Sequence, residues 1–159
     1  MRYMFLFSIV LVVAPAMAWA QDDADTARAT ALAKELLDHG ATLFDKRDAA
    51  TMAATYVDGA EIRLIKRSSD SGLIETDVRQ GRAAIEEAYA KIFKDRKPEH
   101  KSRNTVESAR FLNTDLLLIQ GRFALDRDQR DTIQFVQIRA RENDKWKIAS
   151  MQLMELPAR

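Results

Sequence analysis

Cysteine is absent from the 159 residues. That excludes disulfides, thiolate–zinc sites and a thiol nucleophile. Histidine is scarce: only His39 and His100 occur, with no ligand spacing between them, so no metal centre is expected. Gly-rich phosphate loops, a nucleophile elbow and a Ser-His-Asp arrangement are missing too. So is an excess of one charge: setting aside residues 1–20 removes only Arg2, and 25 basic against 24 acidic residues become 24 against 24. Such neutrality gives no long-range field toward nucleic acid or an anionic membrane, and neither partner is expected. Repeats and low-complexity linkers are also lacking, so one domain with one core is expected.

What is present begins with "MRYMFLFSIVLVVAPAMAWA", residues 1–20. A basic residue, an apolar run from Phe5 to Val13 and Ala18-Trp19-Ala20 before a polar start form the pattern of a secretory signal peptide cleaved after Ala20. The run is short for a membrane anchor, which needs about 20 apolar residues. The expectation is a periplasmic or secreted domain over residues 21–159, held together by packing alone.

Ala29, Leu32, Ala33, Leu36, Gly40, Leu43 and Phe44 keep a helical stripe, which predicts one helix from about Asp25 to Lys46. Gly40 weakens that helix by about 1 kcal/mol relative to Ala, which implies a close packing neighbour or a kink. Asp48 is a candidate N-cap for a second helix running to Val57, with Met52, Ala53, Tyr56 and Val57 inward. "AEIRLI" and "LIETDVRQ" alternate as strands, the latter placing Ile74, Thr76 and Val78 on one side. After Gly81, the residues Ile85, Ala88, Tyr89, Ile92 and Phe93 form the stripe of a third helix that ends before Pro98. The last third reads as four strands punctuated by turns, an antiparallel meander. The segregated order indicates α+β: a curved antiparallel sheet of about six strands packed on three helices.

"LLLIQGRFAL" and "TIQFVQI" are apolar on both faces: Leu116 and Leu118 oppose Leu117, Ile119 and Phe123, while Ile133 and Phe135 oppose Val136 and Ile138. Helices cover only one face of a sheet. The other would be an apolar patch of the kind that marks interfaces, and a homodimer through the outer sheet face is expected unless long Arg and Lys stems fold over it.

Four segments, "LFDKRDAATMAATYVDGAEI", "GRAAIEEAYAKIF", "DLLLIQGRFAL" and "DKWKIASMQL", resemble the nuclear transport factor two-like superfamily, and within it the SnoaL-like and SgcJ/EcaC-type small proteins. The resemblance implies a cone-shaped α+β barrel with a pocket at its wide end, usually dimeric through the sheet. It implies no cofactor. Gly81 would then allow a sharp turn from strand to helix without a Cβ clash, and Gly121 a bulge where the sheet bends.

The superfamily hosts isomerases and cyclases beside non-catalytic binding domains, so fold leaves function open. Its proton-shifting members use a pocket carboxylate as base and a Tyr or protonated acid for the oxyanion. Tyr56 and Asp58 are the candidates here; the alternatives are a core tyrosine with a satisfied hydroxyl and a turn cap. On the closing strand Trp146, Ile148, Ser150, Gln152 and Met154 are read on one face. Ser150 and Gln152 then stand where relatives often carry His or Asp, and neither is a strong base. Tyr89 and Phe93 from the third helix would line the pocket, with Ser108, Arg110, Gln120, Arg122 and Gln134 reaching inward from the sheet. An inward Arg suits a carboxylate or enolate. The expectation is an exported dimeric binding protein for an apolar or carboxylate-bearing small molecule, without catalysis. The alternative is a ketosteroid-isomerase- or polyketide-cyclase-like enzyme using Tyr56 and a pocket carboxylate or Arg.

Overall fold

Three helices and six strands follow the order two helices, two strands, one helix and four strands in the computed structural model, which describes residues 16–96, 101–125 and 132–155. Pro98, His100 and most of the expected signal segment lie outside the described residues. Helix α1 (Ala16–Lys46) starts well before Asp25, so the expected cleavage point after Ala20 falls in its first turns. It continues through Gly40 without interruption, and among the described residues no packing neighbour lies within 4 Å of where a Cβ would stand.

Helix α2 (Ala49–Ala54) is capped as its sequence predicts, with the Thr51 backbone N–H and hydroxyl donating to the Asp48 carboxylate at 3.0 and 2.7 Å. It ends earlier than expected. Tyr56 and Val57 belong to strand β1 (Tyr56–Arg67), because Tyr56 pairs with Ile148 and the Ile148 N–H donates to the Thr55 carbonyl at 2.9 Å. Sheet pairing overrides the helical spacing.

Strand β2 (Ile74–Gln80) forms an antiparallel edge on β1, largely exposed. Gly81 then turns the chain into helix α3 (Arg82–Asp95) at φ 83°. That backbone conformation, rather than crowding, calls for glycine: a Cβ would meet the Asp58 carbonyl at an ordinary 3.7 Å. Strands β3 (Ser102–Asn113), β4 (Leu116–Leu125), β5 (Thr132–Glu142) and β6 (Lys145–Glu155) form the expected meander. The sheet order is β2-β1-β6-β5-β4-β3. One pairing departs from the antiparallel expectation, since β1 runs parallel to β6. The sheet is therefore mixed, curved and open at both edges.

Register shifts bend it, lying between Tyr56 and Glu61 in β1, Val106 and Ser108 in β3, and Ile138 and Arg139 where β5 meets β6. The second faces Gly121, which pairs with Val106, so the bulge expected of β4 is on β3. At Gly121 there is no room for a side chain: a Cβ would lie 2.2 Å from the Thr105 carbonyl oxygen and 2.9 Å from the Phe135 ring. The inner face carries two apolar clusters. One joins α2 and α3 to β1 and β6 through Tyr56, Ile85, Tyr89 and Ile148. The other joins the middle of α1 to β3, β4 and β5 through Ala33, Leu37, Ala109, Leu117, Ile119 and Phe135.

Candidate functional site

Between these clusters lies a cavity of about 790 Å³, within the usual range for small-molecule sites. Its walls are mostly apolar, with Leu36, Phe44, Phe135, Trp146, Ile148 and Met151 among them. Strand alternation places its polar groups. Phe135, Gln137 and Arg139 share the inner phase of β5, opposite Leu153, Met151 and Ile148 of β6. Tyr56 reaches the same end from β1, and Tyr89 descends from α3.

Arg139 is 4% exposed. Its Nε donates to Gln137 Oε1 at 3.2 Å, and the Gln137 amide in turn reaches Met151 Sδ at 3.2 Å. No carboxylate among the described residues pairs with this guanidinium. Burial pushes its pKa down to about 10, against the opposing pull of the Tyr56 and Tyr89 phenols, so it is a cation at neutral pH. The two phenolic oxygens are 2.7 Å apart and share one hydrogen bond. Burial pushes Tyr89 up to about 12 and Tyr56 well above its ordinary value; both stay protonated at neutral pH. Tyr56 is fully enclosed and Tyr89 is 7% exposed. Both phenols line the cavity, and Tyr89 is the one with any exposed surface. The arrangement offers donors and a fixed positive charge, suited to an anionic oxygen. Among the described residues, the carboxylates that line the cavity are Glu35, Asp144 and Glu155, all exposed.

The residues singled out from sequence divide by position. Tyr56, Tyr89 and Trp146 line the cavity. Phe93 stacks behind Tyr89 with ring centroids 5.6 Å apart. Asp58 points to solvent and pairs with Arg82. The remaining seven are brought together, but on the face turned away from the helices. Arg110, Leu118, Ile138 and Ser150 form one cross-strand row, and Ser108, Gln120, Val136 and Gln152 the next, beside Arg122 and Gln134. Ser108 donates to Gln120 at 2.7 Å, and Arg122 pairs with Glu107.

The inward reading of Ser150 and Gln152 fails because of the register shift at Ala149. A bulge inverts side-chain phase, so Trp146 and Ile148 face inward and are followed by Met151 and Leu153. Arg139 and Gln137 escaped the sequence reading. Continuing the Ile133–Phe135 phase by two and four residues would have placed both inside.

No family profile and no curated protein matches the chain in sequence. Solved structures do match in fold. An NTF-2 like protein of unknown function from Shewanella oneidensis aligns with TM-score 0.58 at 19% identity, over 76% of this chain and 94% of that one. A domain of unknown function with a cystatin-like fold from Nostoc punctiforme gives TM-score 0.59 at 14% identity, over 82% and 78%. Aln2 from a Streptomyces species gives 0.52 at 18% identity, over 76% and 86%. Three helices on a curved, unclosed sheet around a cavity define an α+β cone. The chain has the nuclear transport factor two-like fold.

Proposed function

We propose that this is an exported, dimeric binding protein of the SnoaL-like type, for a small molecule with an apolar body and one carboxylate. The observation that carries the reading is Arg139, a cation buried in an apolar cavity with no acidic partner among the described residues. Leaving such a charge unpaired costs several kcal/mol, and a bound carboxylate with bidentate geometry offsets that cost. Tyr89 is placed to add a neutral donor. The signal-like residues 1–20 support export, and the apolar outer face of the sheet supports the dimer. Isomerase or cyclase chemistry would need a base beside these donors, and the lining carboxylates are at the exposed rim.

Calorimetry with octanoate and octanol tests the reading. Octanoate should bind and octanol bind at least tenfold more weakly. Arg139→Gln should lose octanoate binding by about 10- to 100-fold, the value of hydrogen bonds to a charged group. Equal affinity for the acid and the alcohol would refute the carboxylate anchor.

A further inference from the structure

Gly40 lies on the inward stripe of α1, in phase with Leu36, Leu37, Leu43 and Phe44. Its neighbours on the stripe are packed: Leu37 is 3% and Leu43 is 7% exposed. Yet among the described residues a Cβ at Gly40 would find nothing within 4 Å, and the residue lines the cavity. The two structural reasons for a glycine are therefore missing. Its φ is not in the left-handed region, and no described residue crowds its Cβ position. A helix-weakening residue whose inward face meets the cavity and no described side chain is best explained by what that space holds.

The position can be located along the cavity. The Asn104 amide donates to the Leu37 carbonyl at 3.1 Å, and the Phe44 and Phe123 rings are 5.3 Å apart. Asn104 and Phe123 are cross-strand partners, and Phe123 pairs in turn with Ile133. Gly40, between Leu37 and Phe44, therefore stands over the Phe123–Ile133 end. Ile133 is six residues along β5 from Arg139, about 20 Å at strand rise. Polar Arg139 and Gln137 occupy one end of that line, and Phe135 and Ile133 the other.

We propose that Gly40 is a specificity-determining residue: its missing side chain admits the distal apolar tail of a long-chain monocarboxylate whose head sits at Arg139. The inference rests on the binding reading above and deepens it. Bulk at Gly40 should exclude long tails while leaving short acids untouched, because their chains end before reaching α1.

Butanoate and hexadecanoate, titrated into wild type, Gly40→Ala and Gly40→Leu, provide the test, alongside thermal melts. Gly40→Ala should melt above wild type. Gly40→Leu should melt no lower than wild type, since its side chain fills empty apolar space. Gly40→Leu should lose at least tenfold in hexadecanoate affinity and keep wild-type butanoate affinity. Undiminished hexadecanoate binding by Gly40→Leu sinks this inference alone, as does a Gly40→Leu melt well below wild type, which would mean the space is not there. A wild type that binds neither acid sinks the binding reading and this inference with it.

Discussion

At Arg139 two effects oppose one another. Burial favours losing the proton, while the enclosed phenols beside it favour keeping it, and the result, about 10, still lies well above neutral. The phenols are shifted upward, and Tyr89 reaches about 12. Nothing at the anchor therefore changes charge in the physiological range. Affinity for a carboxylate should be flat between about pH 6 and pH 9, where a histidine-dependent site would show an inflection near its ordinary pKa of about 6.5. Calorimetry across that range checks this, and an inflection would move the anchor away from Arg139. Gly121 is the opposite case, a residue defined by lack of space. Gly121→Ala would drive a Cβ into the Thr105 carbonyl and the Phe135 ring. The carbonyl belongs to the backbone and cannot rotate away, so a loss of about 3 kcal/mol or more is expected in a denaturant melt.

Element by element, the fold was legible where side-chain period and core-facing phase agree. The α1 stripe, the Asp48 cap, the Ile85–Tyr89–Phe93 stripe of α3 and the closing meander were all in the sequence. Three features were not, each for a physical reason. α2 stops early because Tyr56 finds a strand partner far along the chain. The β1–β6 pairing is parallel because it joins the two ends of the fold, which no local turn signal reports. The facing of Ser150 and Gln152 inverts because one bulged residue shifts the phase. The site was legible only in its aromatic half. Tyr56, Tyr89 and Trp146 do line the cavity, while Arg110 and Arg122 lie on the outer face and the cavity's buried cation is Arg139, on a strand apolar on both faces. One junction between elements makes a separate prediction. Asp45, in the last turn of α1, accepts from Arg96 just after α3 and from the Ser102 N–H at the start of β3, at 2.6 and 3.0 Å. Burial alone would raise its pKa, but the hydrogen bonds from Arg96 and Ser102 outweigh that and hold it below the ordinary carboxylate value. A depressed folded-state pKa gives stability that is present above the unfolded value, about 3.9, and is lost as pH falls through the folded one. Asp45→Asn should cost about 2 kcal/mol near neutral pH and flatten the acid limb below about pH 4. Urea melts from acid to neutral pH would reveal it, and an unchanged acid limb would remove Asp45 from the clasp.

For the whole molecule, the outer sheet face poses the remaining question. Leu116, Leu118, Val136, Ile138, Ile65 and Met154 all belong to it and are all part-exposed. Ile74 and Val78 continue the patch across β2 at 51% and 39% exposure. The polar residues there are interleaved with the apolar ones in cross-strand rows, and two are already tied to each other through Ser108 and Gln120. A part-exposed apolar face of this kind marks an interface between copies. Arg110 belongs to β3 and Arg122 pairs with Glu107 of β3, while Val136 and Ile138 on β5 stay part-exposed. A sheet-to-sheet dimer burying about 1,200–2,000 Å² in total is the expected assembly. Val136→Asp sits at its middle and is remote from the cavity. Native mass spectrometry should give dimers for wild type and protomers for Val136→Asp, with octanoate affinity retained in both. Protomers from wild type at micromolar concentration would overturn the dimer and leave the cavity reading intact. Loss of octanoate binding on dissociation would instead tie the cone's shape to its partner, since a curved open sheet without backing is free to flatten over the space that Arg139 closes.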